Sequence, residues 1–104
     1  MAKSIRIRAQ AKGGETTVKA LITHPMETGL RKDKKTGEKI PAHYIQEVNC
    51  KHNGAEVMTA FWGPAVSKNP YVSFILGNAK AGDTIELSWS DNKGEKDSAS
   101  TTVK

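Results

Sequence analysis

The feature that most restricts what this chain can fold into is its period of two. Ile5, Ile7 and Ala9 alternate with Arg6, Arg8 and Gln10, the pattern of a strand with one buried and one solvated face. The alternation returns at Val18, Ala20 and Ile22, at Val72, Phe74 and Leu76, and at Ile85, Leu87 and Trp89, while no segment keeps a helical period over three turns. Turn residues punctuate these runs at Lys12-Gly13-Gly14, Asn53-Gly54, Gly63-Pro64, Asn69-Pro70, Ala81-Gly82-Asp83 and Asp91-Asn92-Lys93-Gly94. His24-Pro25 ends the second run, because proline has no N–H for a ladder and restricts the residue before it. With runs over 43–52 and 55–62 and a polar last run ending near Val103, the reading is seven strands in 104 residues. The expected architecture is all-β: an immunoglobulin-like β-sandwich of about seven antiparallel strands, one domain over residues 1–104. At 37% hydrophobic the chain supports one core and has no room for a second.

Asn53-Gly54 is the strongest hairpin signal, and it sets a register. A two-residue turn pairs His52 with Ala55 and Cys50 with Val57, so Val48, Cys50, Val57 and Phe61 are expected to line the core face. Ile45, Asn49, Lys51, Glu56, Met58 and Trp62 then fall on the other face, with Lys51 opposite Glu56 as a favourable pair. On that outer face Ile45, Met58 and Trp62 form a candidate partner patch, since Trp and Met are enriched at interfaces.

Between the second and third runs lies a segment far longer than a turn needs, HPMETGLRKDKKTGEKIPAHY. Connections in compact domains have a median of about 4 to 6 residues, so a charged insertion of this length more often serves a function than merely links elements. Residues 31–39 hold five cations (Arg31, Lys32, Lys34, Lys35, Lys39) and two acids (Asp33, Glu38), a net +3 out of the chain's +5. Arg31, Lys32, Lys34 and Lys35 are therefore candidate contacts for an acidic partner. Nucleic acid fits less well, because the cations neither line a helix nor alternate with aromatics, and only Phe61, Trp62, Phe74 and Trp89 are Phe or Trp. No run approaches the roughly 18 apolar residues of a membrane span, and the N-terminus lacks an apolar signal region.

A soft-metal (copper) site is the different-class alternative. Cys50 and His52 are two apart on a strand, and Met26, Met58 and His24 are further soft or imidazole donors. The register opposes it by placing Met58 on the face away from Cys50, and buried free cysteine is a common core residue. His24 and His43 have no local partner at ligand spacing. No nucleophile, base and orienting group converge, and no glycine-rich phosphate loop follows a strand into a helix, so the reading is a nonenzyme with no cofactor and no metal.

The block His24-Pro25-Met26-Glu27-Thr28-Gly29-Leu30-Arg31-Lys32-Asp33, with Gly37, Ile40-Pro41, Tyr44-Ile45, Cys50 and Asn53-Gly54, strongly resembles the SoxZ family. Ser67-x-Asn69-Pro70-Tyr71 with Phe74, and Trp89-x-Asp91-x-x-Gly94, are similar to it too. The resemblance implies the noncatalytic subunit of the SoxYZ sulfur carrier of bacterial thiosulfate oxidation. It implies a heterodimer with SoxY, whose glycine-flanked C-terminal cysteine carries sulfur, and transient docking of the other Sox enzymes. This chain ends Ser100-Thr101-Thr102-Val103-Lys104 and has no such arm. A periplasmic location is expected, reached by export together with SoxY. Exposed apolar strands deprived of that partner are expected to pair with a second copy.

Overall fold

The computed structural model describes residues 4–63 and 65–104. The first three residues and Pro64, part of the expected Gly63-Pro64 irregularity, lie outside them. Among the described residues seven strands form: β1 Ile5–Lys12, β2 Glu15–Ile22, β3 Ile45–His52, β4 Ala55–Phe61, β5 Tyr71–Leu76, β6 Thr84–Asp91 and β7 Lys96–Thr102. Every pairing is antiparallel. They make a three-stranded sheet, β1-β2-β5, and a four-stranded sheet, β4-β3-β6-β7. The all-β expectation is borne out, and the two sheets are consistent with a sandwich.

The core is the set of side chains the alternation points inward. Ile5, Ala9, Val18, Ala20 and Ile22 from one sheet meet Val48, Cys50, Ile85, Leu87 and Trp89 from the other. Thr16, fully buried on β2, is satisfied by donating its hydroxyl to Ala79 O at 2.8 Å. At one end the sandwich is sealed by the last residues: Ala11 N–H donates to Lys104 O at 2.8 Å, and Lys104 N–H to Ala9 O at 3.0 Å.

The β3–β4 register differs from the expected one. Asn53 (φ 52°) and Gly54 (φ 86°) form the two-residue turn with both φ positive, and His52 faces Ala55 and Lys51 faces Glu56 as expected. The ladder then slips between Lys51 and Cys50, so that Cys50 faces Met58 rather than Val57. The slip is a β-bulge, and one extra residue turns every later side chain over. Met58, Ala60 and Trp62 pack against the core, while Phe61, expected inside, is 78% exposed and Val57 is exposed as well. The sequence carries apolar side chains at both parities of β4, so alternation alone does not decide between them.

A second irregularity, between Ile45 and Glu47 on the β6 side of β3, does the same for Ile45. It is fully buried. The proposed outer patch of Ile45, Met58 and Trp62 is therefore corrected: all three belong to the inner side, Ile45 wholly and the other two in part.

Candidate functional site: a cationic arm held by a histidine–aspartate clamp

The long connection between β2 and β3 is an arm with its own antiparallel bonding. Glu27 N–H donates to His43 O (2.7 Å) and His43 N–H returns to Glu27 O (3.0 Å). Further out, Ile40 N–H donates to Arg31 O and Asp33 N–H to Glu38 O, both at 2.8 Å. Isolated bridges at Glu27–His43 and Lys32–Lys39 mark the two rungs. Gly29 is needed where the two limbs approach: its φ is +87°, and a Cβ there would sit 3.1 Å from Ala42 Cβ. At the tip the Asp33 carboxylate accepts Lys35 N–H at 2.8 Å, an Asx turn that fixes the bend.

Along this arm Arg31, Lys32, Lys34, Lys35 and Lys39 are all exposed, with Leu30 beside them at 77% exposure. Arg31 is partly neutralised. Its guanidinium grips Glu27, with Nε donating to Oε1 at 3.1 Å and Nη2 to Oε2, and this contact holds the Glu27 carboxyl below the usual range. Lys32, Lys34, Lys35 and Lys39 have no ion-pair partner among the described residues, so they carry the arm's field into solvent.

Both ends of the arm are fastened to one carboxylate. Asp91, at the end of β6, is buried, and its Oδ2 accepts His24 Nε2–H at 3.0 Å and His43 Nε2–H at 2.8 Å. Its Oδ1 accepts two backbone N–H groups, Lys93 at 3.0 Å and Glu95 at 2.9 Å. Burial alone would raise the Asp91 pKa; the bonds from His24, the Glu95 backbone, His43 and the Lys93 backbone together outweigh it and leave the group below the ordinary Asp value. Asp91 is thus a buried anion with four donors around it, a satisfied group rather than an orphan. His43 Nε2 also lies 2.9 Å from Glu95 Oε1, and the two imidazoles stack edge-on with centroids 4.6 Å apart. The Trp89 ring packs against His24 from the other side at 5.1 Å.

The segment entering the arm is strained. Met26 has a φ of +49°, a conformation costing roughly 1 to 2 kcal/mol for a residue with a side chain. Three contacts hold it there: Met26 N–H donates to His24 Nδ1 (3.1 Å), Met26 Sδ accepts Ile45 N–H (3.3 Å), and the Asn69 side chain accepts His24 N–H (3.0 Å).

Do His24, His43 and Asp91 form a metal site? Their donor atoms lie within 4.8 Å of one another. The tautomer of His24 opposes it. Because Nδ1 accepts the Met26 N–H, the ring proton must sit on Nε2, the atom facing Asp91; a ligating Nε2 needs the opposite arrangement, with Nδ1–H donating outward. The cluster is a clamp.

The sequence reading missed this cluster entirely, since its members are 67 and 48 residues apart and no local spacing announces them. The donors of the copper reading are otherwise engaged. Met58 does share the face of Cys50, contrary to expectation, but His52 is tied to Asp83 at 2.7 Å, Met26 to Ile45, and His24 to Asp91. Cys50 is fully buried, and burial pushes its thiol up to about 11, so it is protonated and a poor nucleophile at neutral pH.

The class these features define is an all-β sandwich with an inert buried thiol and a pinned cationic arm. The family description "Sulphur oxidation protein SoxZ" matches residues 5–102, nearly the whole chain, and the chain belongs to the SoxZ family. Its role is in sulphur oxidation by the Sox system. No curated protein matches the chain at a significant level.

Proposed function

We propose that this chain is the noncatalytic subunit of a SoxYZ-type sulfur carrier. It pairs with a SoxY-type subunit that owns the reactive cysteine, and it presents a fixed surface on which the other Sox enzymes dock. The observation that carries the reading is the state of Cys50 in a chain of this family: the thiol is enclosed in the core and pushed up by burial, which supports a carrier whose covalent sulfur rides on the partner's cysteine. The arm supports the docking role. Its free lysines raise encounter rates with acidic enzymes by long-range attraction, and the clamp keeps them at a fixed place on the sandwich. The working compartment in this reading is the periplasm, reached in company with the carrier subunit.

A pull-down from a thiosulfate-grown lysate with the tagged chain tests the pairing. Recovery of a protein ending in a glycine-flanked cysteine is the expected result; its consistent absence, with the bait folded, contradicts the reading.

A further inference from the structure

The two ends of the three-stranded sheet are built differently. β1 carries Arg6, Arg8 and Lys12 and is sealed against the C-terminal residues. β5 ends the sheet on the other side and reads Tyr71-Val72-Ser73-Phe74-Ile75-Leu76, with no charge, no proline and no bulge, and with no strand beyond it among the described residues. Soluble monomers blunt an edge with lysine, proline or a bulge. This edge has none of them.

Its backbone points outward at regular intervals. Ile22 N–H donates to Pro70 O at 3.0 Å, and that pair continues the register in which Leu21 faces Tyr71. Antiparallel pairs alternate between bonded and non-bonded. Val72, Phe74 and Leu76 therefore aim their N–H and C=O groups at β2, and Tyr71, Ser73 and Ile75 aim theirs at the open edge. Tyr71 and Ile75 are also exposed on the outer face, next to exposed Leu21. Because β1 lies along β7 at the sealed end, three strands lie against four and β4 overhangs at the open end; Met58 on it and Trp62 just after it are only partly covered.

The exposed area is large enough to matter. The chain exposes 6891 Å², where a compact monomer of 11.3 kDa exposes about 5,700 Å². The excess of about 1,200 Å², part of which belongs to the arm, is larger than the roughly 800 Å² that one partner gives to a standard interface.

We propose that β5 is the strand on which the carrier subunit docks, by addition of an extended apolar strand of that subunit beside it. The added strand bonds to the outward backbone groups of Tyr71, Ser73 and Ile75 and lays its inner side chains over Met58 and Trp62. This assignment rests on the carrier reading given above and deepens it: the uncharged edge holds the permanent partner, and the cationic arm meets the transient ones.

Co-expression with the carrier subunit tests it. Ser73→Pro removes one outward N–H without touching the β2 ladder, where an edge strand tolerates proline, and Ile75→Lys places a charge on the outer face. With the isolated variants keeping wild-type circular dichroism and Tm, each is expected to weaken the complex at least tenfold. The amides of Tyr71, Ser73 and Ile75 are expected to exchange at least tenfold more slowly in the wild-type complex than in the free chain. If Ser73→Pro does not fold, Ile75→Lys and the exchange measurement decide. Wild-type binding by folded variants, together with unchanged exchange, overturns β5 as the docking strand and leaves the carrier reading standing. A self-dimer of the isolated chain that Ser73→Pro abolishes while carrier binding persists also overturns it, by naming a second copy as the occupant. No complex with the wild type overturns both readings.

Discussion

Asp91 shows how much can depend on one carboxylate. It accepts from both ends of the arm and from the turn between β6 and β7, so truncating it leaves the His24 imidazole and two backbone donors without their partner and His43 with Glu95 alone. Asp91→Ala is expected to destabilise the fold by about 3 kcal/mol, a loss of roughly 10 °C or more in Tm. The pH dependence follows from the direction of the shift. A carboxyl held below its ordinary value favours folding when ionised; that stability is complete above about pH 4 and is lost as pH falls through the lower folded value. Thermal melts of wild type and Asp91→Ala below pH 4 should therefore converge. Curves that stay parallel contradict the clamp. Cys50 makes the opposite prediction, of inertness: a thiol reagent should leave the native chain unlabelled at pH 7 and label it stoichiometrically in denaturant.

At the scale of elements, the proposed docking role rests on the arm. Neutralising Lys32, Lys34 and Lys35 to Gln is expected to slow association with the Sox enzymes several-fold at low salt, with dissociation nearly unchanged, and the difference should vanish as ionic strength rises. Stopped-flow or surface-binding rates at two salt concentrations decide it. The strands themselves were legible in the sequence because β1, β2 and β6 each have one apolar and one largely polar parity, and Val72, Phe74 and Leu76 of β5 share one parity. β4 was not. Val57 and Phe61 compete with Met58, Ala60 and Trp62 for the inner face, and the bulge that settles the matter is a backbone event with no residue signature at Lys51 or Cys50. Ile45 was misplaced by the same kind of slip one ladder over. The arm was visible as a charged excess of length, and the cations named as candidate partner contacts all lie exposed along it. Its clamp was invisible because its three members come from all three thirds of the chain.

At the scale of the molecule, the division is between what is fixed and what is reactive. In the proposed role, a β-sandwich with its thiol enclosed, its arm pinned and an uncharged edge at β5 is suited to hold another subunit and present it. The central claim is that sulfur is never bound covalently to this polypeptide. Intact-mass measurement of the chain and its copurified partner during thiosulfate turnover tests that most directly. The account predicts sulfur-containing adducts on the partner alone, with the chain at its unmodified mass. A persulfide or thiosulfonate on Cys50 contradicts it.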